Sequence, residues 1–313
     1  MFFKRNKYII ILMIILIAIM AVSFYQFYRE NFSYSKVYYQ IEENCFNKKN
    51  TSDELCSHFK DEKQLKDYLS FNDPLEKYRN LDAITLTCSI VETTIFSLLQ
   101  FLSPLLIIFA LIFSVQPELT SGYFKNILMR EEYRKYKKGL LKKIVIISLT
   151  TPIILLIIFL ISNLITQFNY HFPNDISIYA VYDKWKYNNF ILYGLIVCFA
   201  QFLINIFYCC IGLYSCLKNK NSIVSTIMGY ILFLLADLFI YIVVYVYIIN
   251  KLLGFKNLTD YFNITGYWFF NVGSSCIYVI LISFIIQLLA VLLIKKIYKN
   301  KERIIINYED QNA

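Results

Sequence analysis

Six runs of nearly uninterrupted apolar residues fix what this chain can become. They lie near Tyr8–Phe27, Ala83–Ser114, Ile144–Thr166, Asn188–Leu217, Ile223–Ile249 and Tyr267–Ile297. Each is long enough for a helix to cross a hydrocarbon core about 30 Å thick, which takes about 20 residues. Each is rich in Leu, Ile and Phe all round, unlike the one-sided stripe of a surface helix in a globular protein. With 58% hydrophobic residues the chain cannot cover itself with an ordinary polar surface. The expected fold class is an all-α polytopic membrane protein of six transmembrane helices. The second and sixth runs exceed the span required, so they are expected to tilt, break or continue past the bilayer. The first follows Lys4, Arg5 and Lys7, as a signal peptide would. Its apolar core is too long for one and no small-residue cleavage site follows, so it is read as a retained anchor.

The net charge of +9 belongs to the segments between these runs. Its first meaning is topological, and no nucleic-acid partner is expected. The amino terminus, Gln116–Lys143, Lys218–Asn221 and the tail from Lys295 together hold 18 Lys and Arg. The alternate connections hold 13, nine of them diluted along Tyr28–Asp82 beside 11 acids. Long loops carry little weight in this comparison, so both termini are expected to be cytoplasmic. The chain then divides into residues 1–27 (amino terminus and first transmembrane helix), 28–82 (a small extracytoplasmic cap between helices 1 and 2), 83–297 (the other five helices, with segment 116–143 between two of them) and 298–313 (a cytoplasmic tail). The cap is too small to bury much of a core alone, and short helices are expected at Ser52–Leu69 and Pro74–Leu81. Cys45 and Cys56 both fall in it; they are either bridged, as an extracytoplasmic compartment permits, or two separate thiols. The other six cysteines lie in the runs without metal-ligand spacing and read as small packing residues, so no metal site is expected.

Segment Gln116–Lys143 is the most basic of the chain and sits between two spans. It contains Glu118, Gly122, Asn126, Arg130 and Arg134 in the order E-x3-G-x3-N-x3-R-x3-R, with Lys142 at the mouth of the third span. The cations serve topology, but the Glu and Gly do not, and a glycine suits a turn where a helix changes direction. This spacing resembles the first cytoplasmic loop of type-2 ATP-binding-cassette permeases: E-x-x-x-G, a short apolar helix, an arginine about twelve residues past the glycine, and a lysine entering the next span. Six spans, both termini inside and a larger outer loop after the first span extend the resemblance over essentially the whole chain. Two departures are evident. MREEY replaces the proline often found before the arginine, and Lys142 comes one position late.

The resemblance implies a permease subunit that moves an amphipathic substrate, such as an antimicrobial peptide, across or out of a bacterial cytoplasmic membrane. It implies two copies of a separate ATPase subunit and a second permease, identical or homologous, in the lipid bilayer. Segment 116–143 would form short helices along the membrane surface that dock on the ATPase. Tyr123, Phe124, Ile127 and Leu128 would supply the apolar contacts and Arg130, Arg134 and nearby lysines the charge contacts, with Glu118 bracing the loop against one of these cations. The chain has no G-x-x-x-x-G-K-[ST] phosphate loop, so it is not expected to be an enzyme. It would hold no cofactor, with ATP and magnesium on the partner subunit.

Two acids fall inside the runs. A charge at mid-bilayer costs roughly 2.5–3.5 kcal/mol on insertion scales, so such residues usually face a cavity or a partner. Asp237, the deeper, reads either as a polar point on a translocation path or as a structural acid bonded within the bundle, with Glu92, Gln100 or Gln201 as partners. Glu92 lies nearer the outer face. Glu131-Glu132 invites comparison with paired-glutamate intramembrane metalloproteases, but the two histidines, His58 and His171, fall on the opposite side of the membrane. A serine protease would need a His within a span. The remaining alternative is an ATP-independent immunity or sensor protein acting through its outer cap.

Overall fold

A computed structural model describes residues 7–42, 83–120, 133–168, 189–255, 258, 262 and 276–297. Cys45, Cys56, Gly122, Phe124, Ile127, Leu128 and Arg130 lie outside the described residues, as do the helices expected within the cap. All regular structure among the described residues is helical: α1 (Lys7–Glu42), α2 (Ala83–Val91), α3 (Thr94–Thr120), α4 (Tyr133–Ser148), α5 (Thr150–Ile165), α6 (Phe190–Lys218), α7 (Ser222–Leu238), a π-helix (Phe239–Leu252) and α8 (Cys276–Ile297). Six stretches are long and apolar enough to cross a membrane: Lys7–Glu30, Thr94–Leu119, Tyr133–Ile165, Phe190–Lys218, Ser222–Leu252 and Ile277–Lys296. The chain is thus an all-helical, multi-pass membrane protein. Six crossings return the chain to the side on which it started, so the Lys7 end of α1 and the Lys296 end of α8 share one face, called here the basic face.

The second run breaks, one of the outcomes expected of its excess length. Thr93 turns the chain between α2 and α3, its hydroxyl donating to Ile90 O at 2.8 Å and accepting from Phe96 N at 3.4 Å. The next orphan amide at the start of α3, Ile95 N, donates to Gln26 Oε1 of α1 at 3.2 Å. A helix N-terminus is thereby capped partly by its own threonine and partly by a neighbouring span. Glu92 lies at this break, exposed and outside the membrane-crossing part of α3. α1 continues past the expected boundary at Phe27 as far as Glu42, so the first part of the expected cap prolongs the first helix.

Segment 116–143 is likewise shorter as a connection than the sequence reading held, because both its ends belong to spans. Gln116–Thr120 completes α3, and Tyr133–Lys143 opens α4. The first turns of α4 are amphipathic. Tyr136, Leu140, Lys143 and Ile147 are buried, while Arg134, Lys135, Lys138 and Lys142 face outward. A spacing of 3–4 residues puts the first set on one stripe.

α4 and α5 make one span interrupted at Leu149, three residues before Pro152. A proline inside a helix cannot donate to the carbonyl four residues back, here Ser148. The ladder resumes at once, with Ile153 N donating to Leu149 O at 3.1 Å. Pro104 in α3 likewise leaves the carbonyl of Gln100 without an amide donor, and the Ser103 hydroxyl donates to it at 3.3 Å.

The second, third and fourth spans form the centre, with half or more of their apolar windows buried against 11% for the fifth and 22% for the sixth. α6 packs on α3, α7 and α8 and is the hub of the bundle. Close approach there depends on small residues, because lipid is as apolar as a leucine side chain and helices associate by tight contact. A Cβ added at Gly229 of α7 would stand 2.9 Å from Ile108 Cγ2 of α3, and one at Gly212 of α6 would stand 3.4 Å from Leu111 Cδ2. The two glycines let α6 and α7 close on the same stretch of α3.

A candidate coupling base beneath the basic segment

The residues flanking segment 121–132 meet in a polar knot at the basic face. Lys143, on the buried stripe of α4, is directed at the C-terminal end of α3. Its ammonium donates to Glu118 Oε1 at 2.7 Å and to Ser114 O at 2.8 Å. The Lys143 side chain is 10% exposed and that of Glu118 25%. The pair is therefore partly desolvated, and a charge-assisted bond of this length is among the stronger kind. α3 has no basic residue in its own last turn. Lys143 supplies that cation from the next helix, where it also complements the negative end of the helix dipole.

Two residues before Glu118, and so on the opposite side of α3, Gln116 carries the knot to the other side of the bundle. Its Nε2 donates to Asn219 O, in the turn between α6 and α7, at 2.6 Å. That turn is held by its own bonds. Asn221 Oδ1 accepts from Ile223 N and Val224 N and caps α7, the Ser225 hydroxyl donates to Asn219 O, and the Ser215 hydroxyl donates to Ser225 O at 2.6 Å. Four helix ends are thus tied together: the end of α3, the start of α4, the end of α6 and the start of α7. The two helices that flank segment 121–132 are thus joined to the α6–α7 turn by polar contacts.

Of the residues singled out in the sequence, Glu118 is in this knot and is braced by a cation. That cation is Lys143. Lys142 and Arg134 lie on the exposed face of α4. Gln116 and Asn219 were not identified from the sequence, since nothing local announces a contact between residues 103 positions apart.

A second polar cluster lies deeper. The Ser148 carbonyl left without an amide donor by Pro152 accepts from Asn205 Nδ2 of α6 at 2.9 Å, and the same nitrogen donates to Thr151 Oγ1. Gln201 Nε2 donates to Asn205 Oδ1 at 3.1 Å, and the Ser148 hydroxyl lies 3.7 Å from Cys209 Sγ. These residues are essentially inaccessible. Gln201 Oε1 is buried with no hydrogen-bond partner among the described residues. Gln201, considered above as a partner for Asp237, is engaged by Asn205. Asp237 sits half-buried in the last turn of α7, just before the π-helix. Cys198, Cys209, Cys210 and Cys216 are buried among apolar side chains.

No protein family, curated protein or solved structure matches the chain. The likeness to type-2 permeases therefore rests on topology and on the spacing of residues between Glu118 and Lys142.

Proposed function

We propose that this protein is the membrane subunit of an ATP-binding-cassette transporter, and that segment 121–132 with the exposed face of α4 is where a separate ATPase acts on it. The observation that carries this reading is the Glu118–Lys143 ion pair, linked through Gln116 to the α6–α7 turn. Topology alone calls for cations at this face. It does not call for a partly buried acid–base pair that joins the two helices flanking the segment, nor for a polar link from there to a third and fourth helix end. Such a base is what a device for passing force from a surface segment into a bundle needs. Arg134, Lys135, Lys138 and Lys142, exposed along one face of α4, give a protein partner a cationic strip that follows in sequence the apolar residues Phe124, Ile127 and Leu128. The substrate is amphipathic, in keeping with so large a share of apolar surface and so small an extramembrane part; this step rests on family analogy.

The test is co-purification of the detergent-solubilised protein with the ATPase encoded beside its gene. Wild type is expected to retain the ATPase, and a Phe124→Asp/Arg134→Glu variant that inserts normally is expected to lose it. Failure of correctly inserted wild type to retain any ATPase would overturn the transporter reading in favour of an ATP-independent membrane protein.

A further inference from the structure

α7, which the π-helix continues, and α8 both pack on α6 but among the described residues scarcely touch each other. The wedge between them is a cavity of about 630 Å³, within the range of about 300–1,000 Å³ usual for ligand sites. Its walls include Phe207 and Tyr214 of α6, Ala236 of α7, Val244 of the π-helix, and Ile286 and Leu293 of α8. The lining is almost wholly apolar, and it is asymmetric along the membrane normal. Toward the face opposite the basic one, Phe262 stacks on Tyr245 with centroids 5.4 Å apart, and Phe262 is itself part of the wall. Toward the basic face the lining ends at Tyr214, Leu293 and Ile294. Exposed Lys218 follows Tyr214 by one turn on α6, and exposed Lys295 and Lys296 follow Ile294 directly on α8.

The shape of the cavity suits an extended hydrocarbon chain. Along α8 the lining runs from Ile282 to Ile294, which at about 1.5 Å per residue is about 18 Å. On the α7–π wall it runs from Leu232 to Ile249, so the cavity continues past mid-membrane. It opens toward the basic face between α6 and α8, where Lys218, Lys295 and Lys296 stand beside the entrance. We infer that the cleft between α6, the α7–π segment and α8 is a binding site for an anionic phospholipid of the leaflet at the basic face, one acyl chain in the cavity and its phosphate held by Lys218, Lys295 and Lys296. The lysines explain a preference for anionic headgroups, because clustered cations at a cytoplasmic membrane surface each add to the attraction. This site is separate from the coupling base and does not depend on the transporter reading.

Native mass spectrometry of the purified full chain in detergent tests it, with phosphatidylglycerol and phosphatidylcholine of identical acyl chains as probes. Wild type is expected to retain phosphatidylglycerol at roughly tenfold lower lipid concentration than phosphatidylcholine. Lys218→Gln/Lys295→Gln/Lys296→Gln is expected to bring the two lipids level, while Lys-to-Arg changes at the same positions keep the preference. Ala290→Phe, which fills the cavity from α8, is expected to reduce retention of both lipids. Ala236→Phe fills it from the opposite wall and serves if the first variant does not elute as a single species. Equal retention of the two lipids by wild type would overturn the headgroup assignment. Undiminished phosphatidylglycerol retention by both cavity-filling variants would overturn the site. So would a dimer that these variants dissolve and phosphatidylglycerol does not, since the cleft would then be covered by a second copy of the chain.

Discussion

Replacing Lys143 with Met is expected to destabilise the protein by about 2 kcal/mol, seen as a fall of roughly 5 °C in the melting temperature of the detergent-solubilised protein. The substitution keeps the apolar stem that packs on the buried stripe of α4 and removes only the ammonium. What remains is a Glu118 carboxylate in a partly dry site and a Ser114 carbonyl without its extra donor. Stripping one partner from a fully buried pair costs about 3–5 kcal/mol. Glu118 is a quarter exposed, so water offsets part of that and the expected loss is smaller. Adding Glu118→Gln should restore most of the stability, because the orphaned charge and not the missing attraction is the main cost. Lys142→Met, one position away on the exposed face, should change the melting temperature by less than about 1 °C. If the Lys142 and Lys143 variants melt alike, Glu118 is not held as described.

Asn205→Leu is expected to cost about 2–3 kcal/mol although it is nearly isosteric. Interhelical hydrogen bonds within membranes measure about 0.6–2 kcal/mol each. Asn205 makes two, to the Ser148 carbonyl and the Thr151 hydroxyl, and accepts a third bond from Gln201 within α6. The first exists because Pro152 cannot donate to Ser148, which supplies an internal control. Pro152→Ala restores the missing amide, so Asn205→Leu should cost about 1 kcal/mol less in that background than in wild type. Both measurements are thermal melts of purified protein, and strict additivity of the two substitutions would show that Asn205 does not replace the lost backbone bond.

These two sites differ in how far the sequence announces them. The spans were legible because each apolar run must bury its length in hydrocarbon, and the excess length of the second run left a break as one of three outcomes, with tilting and continuation past the bilayer. Glu118 was legible as an acid that topology leaves unexplained. Its partner stayed open among Arg130, Arg134 and the nearby lysines, and the family pattern singled out Lys142 only as the lysine entering the third span. Helical periodicity points elsewhere, since Tyr136, Leu140, Lys143 and Ile147 share a stripe on which Lys142 does not fall. Pro152 marks Ser148 as a carbonyl without its amide donor by simple counting. That Asn205 answers it is tertiary information, as are the link from Gln116 to Asn219 and the wedge between α7 and α8. The change from α- to π-helical winding at Phe239 has no local signal either, in a run of Leu, Ile, Val and Tyr that suits both. The cavity depends on that divergence, and its lysines, read from the sequence alone, serve topology only.

In the function proposed above, the Glu118–Lys143 pair is the route by which a surface segment drives the bundle. The most direct measurement is substrate-stimulated ATP hydrolysis by the proposed permease–ATPase complex in proteoliposomes, comparing wild type with Glu118→Gln/Lys143→Met. This double variant leaves the presumed docking residues Phe124 and Arg134 intact and no buried charge unpaired. Retained ATPase binding and basal hydrolysis with the stimulation reduced severalfold or lost is the result the account predicts. Full stimulation in the double variant would contradict it, leaving the pair as a structural fastening with no part in coupling.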